Sequence, residues 1–277
     1  MQEFETADWA ARWLPRALPL HHTVLGGQGG WVLLLHGLFG AGDNLGGLGR
    51  ELAESCRVVL VDLRNHGRSP HSEAMNLPLL AADIAALQDR LGIDRAALVG
   101  HSLGGKVAME LALNLPERVD RLVVADIAPV CYPPHHQIIL AALAGLELQT
   151  LSSRGEADSR LAASIDEPGV RQFLLKSLYR DDSGFHWRFD LAALRDCYSH
   201  LSAAPQGLPF AGPTLFIKGE RSDYIKPEFE MAMRAAFPHF QFRMIAGAGH
   251  WLHAERPVAF NRLVRQFLAP AHDADAP

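Results

Sequence analysis

The chain has 277 residues, 48% of them hydrophobic and 21% charged, with a formal net charge of -5. That length suits one large core, or a core with a subdomain, and the composition excludes intrinsic disorder. Acidic and basic residues are interspersed without the basic stripe that phosphate backbones require, and the longest apolar runs fall far short of the ~20 residues of a membrane helix, so neither nucleic-acid binding nor a membrane span is expected.

The start, Met1 to Ala11, is acidic and lacks the basic and apolar stretches of a secretory signal, which makes the cytoplasm the expected compartment. The first twenty or so residues, with Trp9, Trp13 and Pro15, read as peripheral and partly mobile, as does the tail after Leu268. Between them, aliphatic runs ending in Gly, Asp or His alternate with helical patterns, the form of a mostly parallel sheet covered on both faces. The strands are Trp31 to Leu35, Arg57 to Val61, Ala96 to Val99, Arg121 to Ala125, Thr214 to Ile217 and Phe240 to Ile245. Helices are expected at Leu45 to Ser55, Leu77 to Leu91, Leu103 to Leu115 and Pro257 to Leu268. From Cys131 to about Pro205 no strand-like run occurs, and Ile138 to Leu151, Arg154 to Ile165, Gly169 to Tyr179 and Leu191 to Leu201 read as helices. The expected division is therefore a core of residues 1–130 and 206–277 with a helical cap of residues 131–205 inserted into it.

The chemistry-bearing residues fall where these strands end. His36-Gly37-Leu38-Phe39-Gly40 follows the first core strand, where backbone N–H groups can face a developing oxyanion. Leu38, or Phe39 as the alternative, is expected to act with Leu103. His36 reads as a structural hydrogen-bonder of that loop. Asp62 to Ser69 reads as scaffolding, with Arg64 and Arg68 pairing with Asp43 or Asp62. Gly100-His101-Ser102-Leu103-Gly104 fits the G-x-S-x-G bend that thrusts a serine hydroxyl out between a strand and a helix. Lys106, just beyond, reads as a solvated helix residue, with an anionic substrate group as the other option.

A serine hydroxyl needs a base to take its proton. His250, in Gly247-Ala248-Gly249-His250-Trp251, stands in the order Ser, acid, His that such a bend demands. Two carboxylates compete for its other nitrogen. Asp126 ends a strand near the bend and is preferred, with Ser222 as an assisting partner, and Asp223 is the alternative acid. Phe39, Phe185, Trp187, Tyr198 and Trp251 are the candidate substrate-binding residues. Cys56, Cys131 and Cys197 have no metal-like spacing and read as free buried thiols, and no metal or cofactor is implied.

Gly37 to Gly40 with Asp43 to Gly46, Asp62 to Ser69, Gly100 to Met109, Asp126 to Val130, Lys218 to Ile225 and Gly247 to Glu255 together resemble the YbfF-like branch of the α/β-hydrolase family. The resemblance implies an α/β-hydrolase fold, carboxylesterase action on short acyl esters with extension to acyl-CoA thioesters, and a site in which Asp126, Ser222, Ser102 and His250 cooperate. The same bend also serves C–C bond hydrolases, lactonases and cofactor-free perhydrolases. A ligand-binding module without turnover is the remote alternative.

Overall fold

In the computed structural model, which describes residues 6–269, nine strands form two sheets. The strands are β1 (His22–Leu25), β2 (Trp31–Leu35), β3 (Arg57–Val61), β4 (Ala96–His101), β5 (Val119–Ala125), β6 (Leu178–Asp181), β7 (Gly184–Trp187), β8 (Thr214–Gly219) and β9 (Phe240–Ile245). The large sheet runs β1-β3-β2-β4-β5-β8-β9, parallel throughout except for β1.

Side chains alternate across this sheet, and both faces are covered. Leu33, Leu35, Val59 and Val61 pack with Leu80, Ile84, Val107 and Leu111 from the helices Leu77–Leu91 and Leu103–Asn114. Val32, Leu34, Val58 and Leu60 face Leu48, Leu52, Phe260 and Val264 from Gly46–Leu52 and Pro257–Leu268. Double-sided burial is why these strands appear as unbroken apolar runs rather than alternating ones. The long helix has conventional ends: the Asn76 side chain accepts from the Leu79 N–H, and Gly92 closes it at φ +63°.

Residues 131–205 lie between β5 and β8. They hold the helices Gln137–Ala144, Arg154–Leu161, Pro168–Leu175, Leu191–Asp196 and Tyr198–Ser202, but they are not purely helical. The pattern read as helical through Tyr179 stops at Leu175, and β6 and β7 form an antiparallel hairpin. Its tight turn is fixed by Asp181 Oδ1, which accepts from the Ser183 N–H at 2.8 Å and hydroxyl at 2.7 Å, and by Gly184 at φ +119°.

Lys106 corrects the expectation of a solvated residue, being only 2% exposed. Its ammonium donates to the carbonyls of Val130 (2.9 Å), Ser202 (2.7 Å) and Ala203 (2.5 Å). One side chain on the helix behind Ser102 thus holds both stems of the 131–205 segment. Arg64 does not pair with Asp43 or Asp62: it makes a two-pronged contact with buried Asp83, both bonds 2.7 Å. Arg68 meets Asp62 only through its backbone N–H. Nor is the first segment wholly peripheral, since Trp9 is 4% exposed and its indole donates to Glu110. The tail beyond residue 269 lies outside the described residues. Of the three cysteines, all free, only Cys197 is buried.

Candidate active site

β4 ends in the bend that carries Ser102, held at φ +52°. Only glycines permit it. A Cβ on Gly100 would lie 2.2 Å from the Gly104 carbonyl oxygen, and one on Gly104 2.2 Å from that of Leu35. The bend places the serine at the start of the helix Leu103–Asn114.

Three loops from distant parts of the chain meet here. His250 Nε2 lies 3.0 Å from Ser102 Oγ, and its Nδ1 lies 2.7 Å from Asp126 Oδ2. Asp126 is fully buried and sits at φ +53°, a costly conformation for a non-glycine residue that is concentrated at functional sites. Its Oδ1 accepts from the Gly219 N–H at 2.9 Å, and the Ser222 hydroxyl donates to Oδ2. The alternative acid, Asp223, is exposed one residue further on and makes no contact with the imidazole among the described residues. His101, the variable residue of the bend, donates from Nε2 to the His250 carbonyl at 2.9 Å, and the Tyr224 ring stacks on His250 at 3.9 Å. The bend therefore orients both the serine and the backbone of the histidine.

The Leu38 and Phe39 backbone N–H groups, the two expected to compete as oxyanion donor, differ in what already binds them. The Phe39 N–H is already spent on His66 Nε2 at 3.2 Å, whereas the Leu38 and Leu103 amides have no partner among the described residues. His66 Nδ1 lies 2.9 Å from the Arg64 carbonyl and must carry the proton, leaving Nε2 free to accept. His36 mirrors it: Nδ1 donates to the Gly37 carbonyl at 2.8 Å and Nε2 accepts from the Leu63 N–H at 3.0 Å. The pair cross-links the 36–40 and 62–69 loops. Burial lowers both pKa values, that of His66 to about 3, which keeps Nε2 an acceptor. Replacing His66 by Ala frees the Phe39 amide and unfixes the loop that carries the Leu38 N–H. Since loss of one oxyanion donor costs about 10²–10³ in kcat, a partial loss of about 10- to 100-fold is expected in steady-state p-nitrophenyl acetate hydrolysis, with KM little changed.

Two small cavities open on Ser102. One, of about 40 Å³, is bounded by Ile127, Tyr132, Tyr198, Leu201 and Tyr224, and the other, of about 20 Å³, by Phe39, Phe173, Leu174, His250 and Trp251. A larger concavity, about 930 Å³, lies at the far end of the strands beside Trp31 and Arg262 and holds none of these groups.

Of the expected substrate-binding residues, Phe39, Tyr198 and Trp251 line these cavities, but Phe185 and Trp187 line neither. Both belong to β7: Phe185 is buried under Arg180, and Trp187 stacks on Phe189 at 5.1 Å. The sequence reading missed Tyr132, His136 and Tyr224. All three follow strand-end motifs by a few residues, but only the folded chain shows that they face the serine.

Such a frame, with its serine, imidazole and carboxylate at the strand ends, is that of a hydrolase. The family model described as alpha/beta hydrolase fold matches residues 30–150. Esterase YbfF of Escherichia coli (strain K12) is 40% identical over 86% of this chain and 92% of its own length. The sn-1-specific diacylglycerol lipase ABHD11 of Mus musculus is 38% identical over 92% of this chain and 86% of its own. Among solved structures, a marine microorganism esterase superposes with a TM-score of 0.89 at 34% identity, covering 91% of this chain and all of that one. The chain belongs to the α/β-hydrolase family, as a YbfF-like esterase. It is a hydrolase of the esterase and lipase type, and among its described residues no helix is long and apolar enough to cross a membrane.

Proposed function

We propose that the protein cleaves short-chain carboxylic esters, with extension to acyl-CoA thioesters, through an acyl-enzyme on Ser102. The observation that carries this reading is the unbroken run from Ser102 Oγ through the His250 ring to Asp126, with contacts of 3.0 and 2.7 Å. His250 takes the hydroxyl proton as Oγ attacks the acyl carbon, and the Leu38 and Leu103 amides receive the oxyanion. Collapse of the tetrahedral species breaks the bond to the leaving oxygen or sulfur, which takes its proton from His250. Water, deprotonated by the same imidazole, then releases the acid and regenerates Ser102.

The proton transfer also assigns the cavities. The leaving atom must lie within reach of His250, so the leaving group occupies the cavity that His250 lines and the acyl chain occupies the other, beside Tyr132 and Tyr224. At about 10–15 Å³ per water-sized group, 40 Å³ admits about three such groups, which favours a short acyl chain. Residues 131–205 act as the cap over this site, on the core of 1–130 and 206–277. Three unpaired thiols suit a reducing compartment, which makes the cytoplasm the proposed location.

A fluorophosphonate probe tests the reading directly. Rapid labelling found by peptide mass spectrometry at Ser102, and competed by p-nitrophenyl acetate, is expected. Ester turnover that persists while Ser102 stays unlabelled overturns the acyl-enzyme.

A further inference from the structure

The acyl and leaving-group cavities are separate, and one side chain other than the loop residue Leu38 and the nucleophile borders both: His136. It stands immediately before the helix Gln137–Ala144, the first of the 131–205 segment. Its ring is pinned from both sides. Nδ1 lies 2.7 Å from the Tyr198 hydroxyl and Nε2 3.3 Å from the Tyr224 hydroxyl. The Phe39 ring meets it edge-on at 6.1 Å.

We propose that His136 is a specificity-determining residue, a fixed partition whose imidazole separates the two cavities and sets the upper limit on acyl chain length. This rests on the esterase reading of the site and adds what decides its substrate range. Two aromatic hydroxyls that enter from different segments, one from the helix Tyr198–Ser202 and one from the loop after β8, hold the ring where a longer acyl chain would have to pass. A chain that outgrows the acyl cavity toward the second one must displace the ring and break both hydrogen bonds. The ring stays uncharged at neutral pH, since burial, with His250 nearby, lowers its pKa to about 4. The partition therefore offers a long acyl chain neither a charge nor free room.

The test is a comparison of kcat/KM for p-nitrophenyl acetate and octanoate. Each methylene that a pocket accepts or rejects is worth about tenfold or more. His136→Ala is expected to raise the octanoate-to-acetate ratio by about tenfold or more, while His136→Phe, which refills the space, is expected to keep the ratio of the parent protein. An unchanged ratio in His136→Ala overturns the partition. Should the alanine variant fail to fold, Tyr198→Phe decides: it removes one hydroxyl and no ring, and a rise of about threefold is expected from the loosened imidazole, whereas no rise overturns the proposal. The two readings fail differently. If the partition is wrong, Ser102 is still labelled by the fluorophosphonate and only the ratio stays put. If the esterase reading is wrong, Ser102 stays unlabelled in every variant.

Discussion

Asp126→Asn is expected to lower kcat for p-nitrophenyl acetate by about 10⁴-fold, while Asp223→Asn leaves it within a factor of two or so. The reason lies in which groups already donate to the carboxylate. Gly219 N–H donates to Oδ1, and Oδ2 receives both the Ser222 hydroxyl and His250 Nδ1. An asparagine has one oxygen and one NH₂. If the NH₂ takes the Oδ1 place it meets the fixed Gly219 N–H, donor against donor, in a fully buried site. The tolerable orientation puts the oxygen toward Gly219 and the NH₂ toward His250, where Ser222 can turn and accept. That NH₂ demands an unprotonated Nδ1, so the proton moves to Nε2, the nitrogen facing Ser102 at 3.0 Å. The imidazole then cannot accept the hydroxyl proton. The expected variant is folded, binds substrate with near-parent KM and turns over slowly, and ¹⁵N spectra of the ring should report the switched tautomer. Full activity in Asp126→Asn, or a comparable loss in Asp223→Asn, would return the acid to the loop after β8. Ser222→Ala, which removes one of three donors and no tautomer constraint, should cost about tenfold at most.

How far this was legible in the sequence depends on where each residue's partners lie. β2 and β3 match the expected runs residue for residue, because strands buried on two faces are written as local apolar stretches, and β9 matches as well although four of its six residues are exposed. The edge strand β1 was missed for the same reason: His22–Leu25 pairs antiparallel with β3 and its two central residues are exposed, so it leaves no apolar run. The hairpin of β6 and β7 was hidden because only Leu178 and Phe185 are buried in it, a pattern too sparse to override the helical spacing before it. The bend at Ser102 is written locally, since its glycines are the only residues the tight backbone admits, whereas its contact with His250 and that of His250 with Asp126 join strand ends 148 and 124 positions apart. Lys106 was not readable: its three acceptors lie 24, 96 and 97 positions away, and nothing adjacent to it announces them. The same holds for His136, whose partners are Tyr198 and Tyr224.

The histidines around the site also make the fold acid-labile, and the sign follows from their burial. His36 and His101 have lowered pKa values, and those of His66, His136 and His253 fall to about 3, 4 and 3, in each case chiefly through burial. In the unfolded chain all five titrate near the reference value of ~6.5. Between that value and about 4 the unfolded state therefore binds up to five more protons, and stability falls as pH falls. Two carboxyls oppose this: burial raises Glu110, to about 7, and also Asp83, so the folded state gains protons there before the unfolded chain does. Setting Glu110 against His66, His136 and His253 leaves about two protons. At about 1.4 kcal/mol per proton per pH unit, the expected slope is of the order of 3 kcal/mol per pH unit below pH 6. A domain of ordinary stability, about 5–15 kcal/mol, then unfolds within a few pH units of neutrality. Urea unfolding monitored at pH 7, 6 and 5 should show the midpoint dropping steeply with little change in its denaturant slope. Activity should be lost over the same range, because His36, His66 and His101 hold the very loops that carry the Leu38 amide, Ser102 and the His250 backbone. A stability flat from pH 7 to pH 5 would mean that these imidazoles find water or partners on protonation, and that the loops they hold are looser than their contacts imply.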